Sequence, residues 1–310
     1  MAGHGESKVA VIAAVVANLI IAIIKFIAAA ITGSSAMISE GIHSLVDTGN
    51  GGLLLHGMSR AKRPADEGHP FGHGKSLYFW SLVVAVSIFG IGGGMSLYEG
   101  LSHIRHVAPG AELSDPTVNY IVLALAFVVE GFSFSVAIRQ FWQAKGEKSA
   151  VRFIRDSKDP SLYTVVLEDS AAMLGLIFAF LGVWLGHLFG NPYLDGAASI
   201  AIGLLLMSVA FVLAAETKGL LLGEGVDAET LAEIRRIVEA DEAVDEAGDI
   251  LTMYVGPHEL VVNLGVRFAR GTSLDSMHAA IGRIEAVLEG TYPQHLHVYI
   301  EAQSLPGVVA

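Results

Sequence analysis

AMISEGIHSLVDTGNGGLLLHGM, residues 36 to 58, is long enough to cross a bilayer, yet it carries Glu40, His43, Asp47 and Asn50 in its middle. As a helix, at about 100° per residue, it holds those four within an arc of about 80°, one polar face on an otherwise apolar or small-residue cylinder. An ionisable side chain near the centre of a membrane helix costs roughly 2.5 to 3.5 kcal/mol, so such groups face a cavity, a partner or an ion. His43 and Asp47 lie one turn apart and can aim an imidazole nitrogen and a carboxylate at one cation. Two readings are open: a hydrogen-bonded seam between helices, or a site that handles metal or protons. Four polar residues on one stripe favour the second.

The rest of the chain fits a membrane setting. Hydrophobic residues make up 53% and charged residues only 16%, and the mean hydropathy is +0.56, too apolar for an ordinary soluble domain. Many of the 35 glycines fall inside apolar runs, where small residues let helix backbones approach in lipid. No cysteine occurs, which excludes disulfides and thiolate metal sites. The net charge of −12 is concentrated late, because residues 216–310 hold 16 acidic and 6 basic side chains. The last third therefore reads as a soluble acidic domain.

In chain order, the apolar runs predict membrane helices over about 9–31, 36–58, 77–101, 117–141, 162–189 and 197–215. MAGHGESK leads into the first without a small-residue cleavage signal, so that span is expected to be retained. Asn18 and Lys25 share one face of it; Lys25 either pairs with a buried carboxylate or snorkels to an interface. The fourth span contains Glu130. Lys8, the loop with Arg60, Lys62, Arg63 and Lys75, and the loop with Lys145, Lys148, Arg152, Arg155 and Lys158 fall on one side. The opposite loops contribute Arg105. By the positive-inside tendency both termini are cytoplasmic, and a bacterial inner membrane is the default location.

Beyond Leu222 the pattern changes. Residues 227–240 have helical spacing, GDILTMYVG and ELVVNLGVRFA read as a strand pair turning at Gly256 and Pro257, and HLHVYIEAQ reads as a last strand. Between them Thr272 or Ser273 caps a helix whose core stripe is Leu274, Met277, Ile281, Ile284 and Leu288. The division expected is residues 1–222, an all-α six-helix transmembrane domain, and residues 223–310, a cytoplasmic α+β domain with helices on one face of the sheet.

Two further constellations carry chemistry. TVVLEDSAAMLG places Glu168 and Asp169 side by side in the fifth span. Adjacent helical residues diverge by about 100°, so both cannot sit centrally on one face. Spacing turns Glu168 to the interior stripe and leaves Asp169 to reach a neighbouring helix; alternatively one of them pairs with Lys25. Asp66, His69 and His73, held by Pro70, Gly72 and Gly74 between the second and third spans, are either a surface metal site or a solvated loop.

TGSSAMISEGIHSLVDTGN, KRPADEGHPFGHGKSLYFW and VVLEDSAAMLG, in that order and followed by a small α+β domain, resemble the cation diffusion facilitator family of divalent-metal transporters. The likeness covers nearly the whole chain, and the Glu-Asp pair resembles one branch of that family. It implies six helices, a ferredoxin-like, metallochaperone-like C-terminal domain, a homodimer, and exchange of a divalent metal, zinc first, for protons by alternating access. No prosthetic group and no nucleic-acid partner are implied; Zn²⁺ or another divalent transition metal is the substrate and also a candidate structural or regulatory ion.

The family's intramembrane ligands match His43 and Asp47 in the second span and Asp169 in the fifth. The remaining position here is Val165, which cannot bind metal, so Glu168 is the substitute, with Asn18 or Asn50 as further ligands. That oxygen-rich set moves preference from zinc towards harder ions such as manganese, with iron and cobalt also in range. Asp66, His69 and His73 match the accessory metal site. His278 and Glu301 fall where family members bind metal in the C-terminal domain, although Leu264 and Tyr299 stand where histidines would be expected. An intramembrane metalloenzyme is the main rival, but no H-E-x-x-H, phosphate-binding loop or nucleophile elbow occurs. A metal-gated channel is the other.

Overall fold

Gly33 divides the first two helices of a computed structural model that describes residues 3–108 and 113–303, without the side chains of 3–15 and 17. Lys8 therefore lies outside the described side chains. Helix α1 (Gly3–Thr32) stops at Gly33, whose φ of +70° is a left-handed conformation that glycine adopts freely. Helix α2 (Ser35–Ala61) begins at once. Its first amides would be orphaned in an apolar setting. The Asp195 carboxylate accepts hydrogen bonds from the Ser35 and Ala36 amides and from Ser34 Oγ.

The third apolar run is one rod of 32 residues. It consists of α3 (Lys75–Ser87), a wider π-helical turn over Ile88–Gly93, and α4 (Gly94–His106). The wide turn coincides with the glycine cluster. Helix α5 (Thr117–Lys145) follows, then a short α6 (Ala150–Asp156) inside the basic loop, which periodicity did not predict. Helix α7 (Pro160–Phe189) starts on proline, is capped by the Asp159 side chain and ends at left-handed Gly190. Helix α8 (Tyr193–Leu222) completes the run and is longer at both ends than its apolar stretch predicts.

Four of these rods, Lys75–His106, Thr117–Lys145, Pro160–Phe189 and Tyr193–Leu222, are long and apolar enough to cross a membrane. The described apolar part of α1 is the shorter Asn18–Thr32. In α2 the polar stripe interrupts the apolar run. Large apolar side chains point outward along the rods, with Phe132 74% and Phe211 72% exposed. Lipid, unlike water, accepts that arrangement.

The chain forms two compact units. One comprises residues 1–57, 79–155 and 159–217; the other comprises 58–78, 156–158 and 218–310. In the first, Ala28, Met37, Leu123, Ala126, Leu176, Ile202 and Leu206 share one buried core. A close seam joins the third rod to α8 through glycines spaced seven apart. A Cβ on Gly100 would lie 2.6 Å from the Gly196 carbonyl oxygen, and one on Gly203 would lie 2.8 Å from the Leu97 amide nitrogen and 2.9 Å from the Gly93 carbonyl oxygen. These neighbours are backbone, so they cannot rotate away. Gly203→Leu is expected to destabilise the bundle by at least ~1–3 kcal/mol, read as a lower melting temperature of the detergent-solubilised chain. An unchanged melt would show that the seam is not needed.

The second unit holds an α+β fold. Strands β1 (Val244–Gly256) and β2 (Glu259–Phe268) pair antiparallel, and β2 pairs parallel with β3 (His295–Ala302), in the order β1-β2-β3. Helices α9 (Ala228–Glu239) and α10 (Leu274–Thr291) supply Ile234, Val238, Ala280, Ile284 and Leu288 to the core under Leu260, Val262, Leu264 and Val266. Both helices thus cover one face. Leu274, predicted in the core, is 68% exposed because it opens α10 beyond the sheet-facing stripe. Strand β1 starts four residues earlier than its motif, across an irregular register between Ala247 and Ile250.

Candidate functional site

Within the first unit, the polar stripe of α2 is half of a larger cluster. His43 is 2% exposed at its side chain and Asp47 17%, with His43 Nδ1 3.4 Å from Asp47 Oδ1. His43 Nε2 is buried with no hydrogen-bond partner among the described residues. A buried imidazole nitrogen without a hydrogen-bond partner, on a helix face that also carries carboxylates, has a lone pair or proton to offer a ligand. One turn further on, Asn50 Nδ2 donates to Glu168 Oε1 of α7 at 2.9 Å. Glu168 therefore faces α2. Asp169 points to a different neighbour and accepts a hydrogen bond from Ser133 Oγ of α5 at 3.2 Å. The 100° divergence expected from the sequence separates the two acids in this way. Val165 packs against the apolar core.

Lys25 does not pair with either α7 acid. Its ammonium donates to Glu40 Oε2 at 2.8 Å and to Glu130 Oε1 at 2.7 Å. Glu40 on the α2 stripe thus belongs to a network across α1, α2 and α5. Asn18, on the same face of α1, is half-buried and makes no hydrogen bond among the described residues. Sequence reasoning registered Glu130 but gave it no partner. An acid in the middle of the fourth apolar run was the available signal.

The second unit contains Asp66, His69 and His73. These are the only three such side chains, among the described residues, whose ligand atoms all lie within 4.8 Å of one another. His73 Nε2 is 2.9 Å from Asp66 Oδ2, and His69 Nδ1 is 3.1 Å from Asp66 Oδ1. The His69 and Gly68 amides donate to the same carboxylate, and Gly72 turns the loop at a φ of +77°. Hydrogen bonds from His73, and then from His69, hold the Asp66 carboxyl well below the usual carboxylate range. The carboxylate therefore stays ionised and available to a cation. Three oxygen and nitrogen donors at this spacing, open to solvent on one side, suit a divalent transition metal.

Within that unit the loop rests on the turn joining β1 to β2. A Cβ on Gly74 would lie 2.6 Å from Gly256 Cα, and Phe71 meets the His297 ring edge-on at a centroid distance of 5.4 Å. Phe71 also approaches Tyr299 at 6.5 Å. His297 and Tyr299 therefore serve as a packing surface for the loop. His278 and Glu301 are exposed on α10 and β3, and no third ligand joins them among the described residues.

Membrane-length apolar helices that enclose an ionisable cluster, together with a small α+β unit, define an integral membrane protein. Residues 11–222 match the family described as the cation efflux transmembrane domain. The chain belongs to the cation efflux family, also called the cation diffusion facilitators.

Its relatives include the mouse protein named proton-coupled zinc antiporter SLC30A9, mitochondrial (Mus musculus), 37% identical over 256 residues, which are 81% of this chain and 44% of that protein. Metal tolerance protein C4 of Arabidopsis thaliana is 31% identical over 81% of this chain and 55% of its own length. The cation-efflux pump FieF of Escherichia coli is 26% identical over 94% of this chain and 90% of its own length. The chain thus spans about half the length of the first two.

Proposed function

We propose that this chain is a secondary transporter, not an enzyme, that expels a divalent cation, zinc first, in exchange for protons. The observation that carries this is the α2–α7 juxtaposition: Asp47 sits one turn and His43 two turns from Asn50, which is hydrogen-bonded to Glu168. His43, Asp47, Asp169 and Glu168 take the ion when deprotonated and release it as they take up protons. Metal and proton compete for the same lone pairs, and that competition is the coupling.

Asn50 orients Glu168, and Asn18 lies outside this set. The ion enters from the cytoplasmic side and leaves by alternating access. The relatives named as a proton-coupled zinc antiporter, a metal tolerance protein and a cation-efflux pump support this direction.

In this proposal α1 and α2 also span the bilayer, which makes six crossings, and the basic loops keep both termini in the cytoplasm. The host membrane is a bacterial inner membrane. The C-terminal α+β domain, ferredoxin-like and metallochaperone-like, brings two copies together. Asp66, His69 and His73 form an accessory zinc site on the cytoplasmic side, and His278 and Glu301 are the weaker candidate site in the C-terminal domain.

Manganese is the second candidate substrate, because oxygens of Asp47, Glu168 and Asp169 outnumber the single imidazole. Proteoliposomes loaded with a pH dye and challenged with zinc, manganese, iron, cobalt and cadmium test the proposal. Zinc is expected to drive the largest proton counterflow. Metal uptake without counterflow would indicate a channel, and manganese ranking first would overturn the choice of zinc.

A further inference from the structure

Lys25 uses all three of its donors inside the bundle: Glu40 Oε2 at 2.8 Å, Ser44 Oγ at 2.9 Å and Glu130 Oε1 at 2.7 Å. The Lys25 and Glu40 side chains are fully buried, and that of Glu130 is 12% exposed. The remaining carboxylate oxygens, Glu40 Oε1 and Glu130 Oε2, are buried without a hydrogen-bond partner among the described residues. Formally, one ammonium faces two carboxylates. The group is short of one positive charge in a place where unpaired charge is costly.

Among the described residues, no second cationic side chain pairs with Glu40 or Glu130. Beyond the triad itself, groups close enough to interact electrostatically with Lys25 or Glu130 include His43 and Asp47 of α2 and Asp169 of α7. Glu168 of α7 adds a further acid beside Asp47. Two of those three neighbours are acids, and the basic residues of α5, Arg139 and Lys145, both lie more than two turns from Glu130.

A metal ion does not fit here, because an ammonium already occupies the centre. Gly175 of α7 also closes directly over Glu40 Oε1, where even an added Cβ would collide. A proton needs no volume. Neither Glu40 nor Glu130 is hydrogen-bonded to His43, Asp47, Glu168 or Asp169 among the described residues.

We propose that the Lys25–Glu40–Glu130 triad is a second cation site of the membrane unit, separate from the metal ligands, and that it carries one exchangeable proton shared by the two glutamates. This rests on the proton-coupled function proposed above. When a divalent cation arrives at His43 and Asp47, it supplies positive charge to the same acidic interior, and the triad proton leaves. When the metal departs, the proton returns to Glu40 or Glu130. One proton moves per cycle and no covalent bond to the metal changes at the triad.

The test is the number of protons exported per zinc in proteoliposomes containing the full chain, compared among wild type, Glu130→Gln and Glu40→Gln. Each variant keeps one carboxylate against Lys25, so each retains an ion pair. Both are expected to bind zinc in detergent with wild-type stoichiometry while the ratio falls by about one proton per zinc and the pH profile of transport becomes shallower.

An unchanged ratio and pH profile in both variants would overturn the proposal. So would variants that fold but no longer bind zinc, since the triad would then be structural. If the single variants do not fold, the neutral triple variant Lys25→Met, Glu40→Gln, Glu130→Gln replaces them: the lowered ratio supports the proposal, and failure to fold or an unchanged ratio overturns it. A wild type that moves zinc without protons would sink the antiport proposal itself, a result distinct from a coupled wild type with unaffected variants.

Discussion

Asp47→Ala is expected to abolish metal-driven proton flux in proteoliposomes while leaving the chain folded. Asp47 is the carboxylate partner of His43 on α2, at 3.4 Å from its ring nitrogen, and its side chain keeps 17% exposure. Its truncation therefore removes a partly buried charge and leaves the apolar core residues in place. Loss of an outer-shell partner alone typically costs ~10–100-fold in metal affinity, so loss of the direct, charged ligand proposed here should put transport beyond detection. The removed carboxylate also takes away a proton acceptor, and metal flux and proton flux should fall together. Wild-type flux in this variant would take α2 out of the transport mechanism.

The second large effect separates the two acids of α7. Asp169→Asn is expected to stop transport, and Glu168→Gln to slow it by ~10-fold or more, since a carbonyl oxygen is a weaker ligand than a carboxylate and carries no proton. Glutamine can still accept the hydrogen bond that Asn50 donates to Glu168, so the α2–α7 contact persists and the loss reports on charge. Zinc binding measured beside transport completes the comparison. If Glu168→Gln transports at the wild-type rate while Asp169→Asn is dead, Glu168 is a packing partner of Asn50, and the ligand missing at Val165 must come from elsewhere.

These two expectations depend on different levels of structure. His43 and Asp47 are legible in the sequence because a helical period of 3.6 residues puts positions four apart on one face whatever surrounds them. The same period says that Glu168 and Asp169 diverge. It cannot say which of them faces α2, because that depends on how α7 is rotated against its neighbours. The bonds from Asn50 to Glu168 and from Ser133 to Asp169 decide it.

Lys25 shows the limit most plainly. Its place in an apolar run announces a partner or an interface, and the sequence offers several acids. Glu40 and Glu130, 15 and 105 residues away, are selected only by the packing of α1 against α2 and α5.

The sequence by itself determined that the chain belongs in a membrane, that it carries long apolar helical runs, that α2 carries a polar face, and that an α-β-β-α-β domain follows. These follow from hydropathy, period and turn chemistry, which are local. Only the tertiary structure decided which helix meets which. It placed the Asp66, His69 and His73 loop on the β1–β2 turn, joined the third rod to α8 through backbone contacts at Gly100 and Gly203, and gave Lys25 two carboxylates. Such pairings are set by side-chain shape and charge balance among residues far apart in the chain, and no local pattern encodes them.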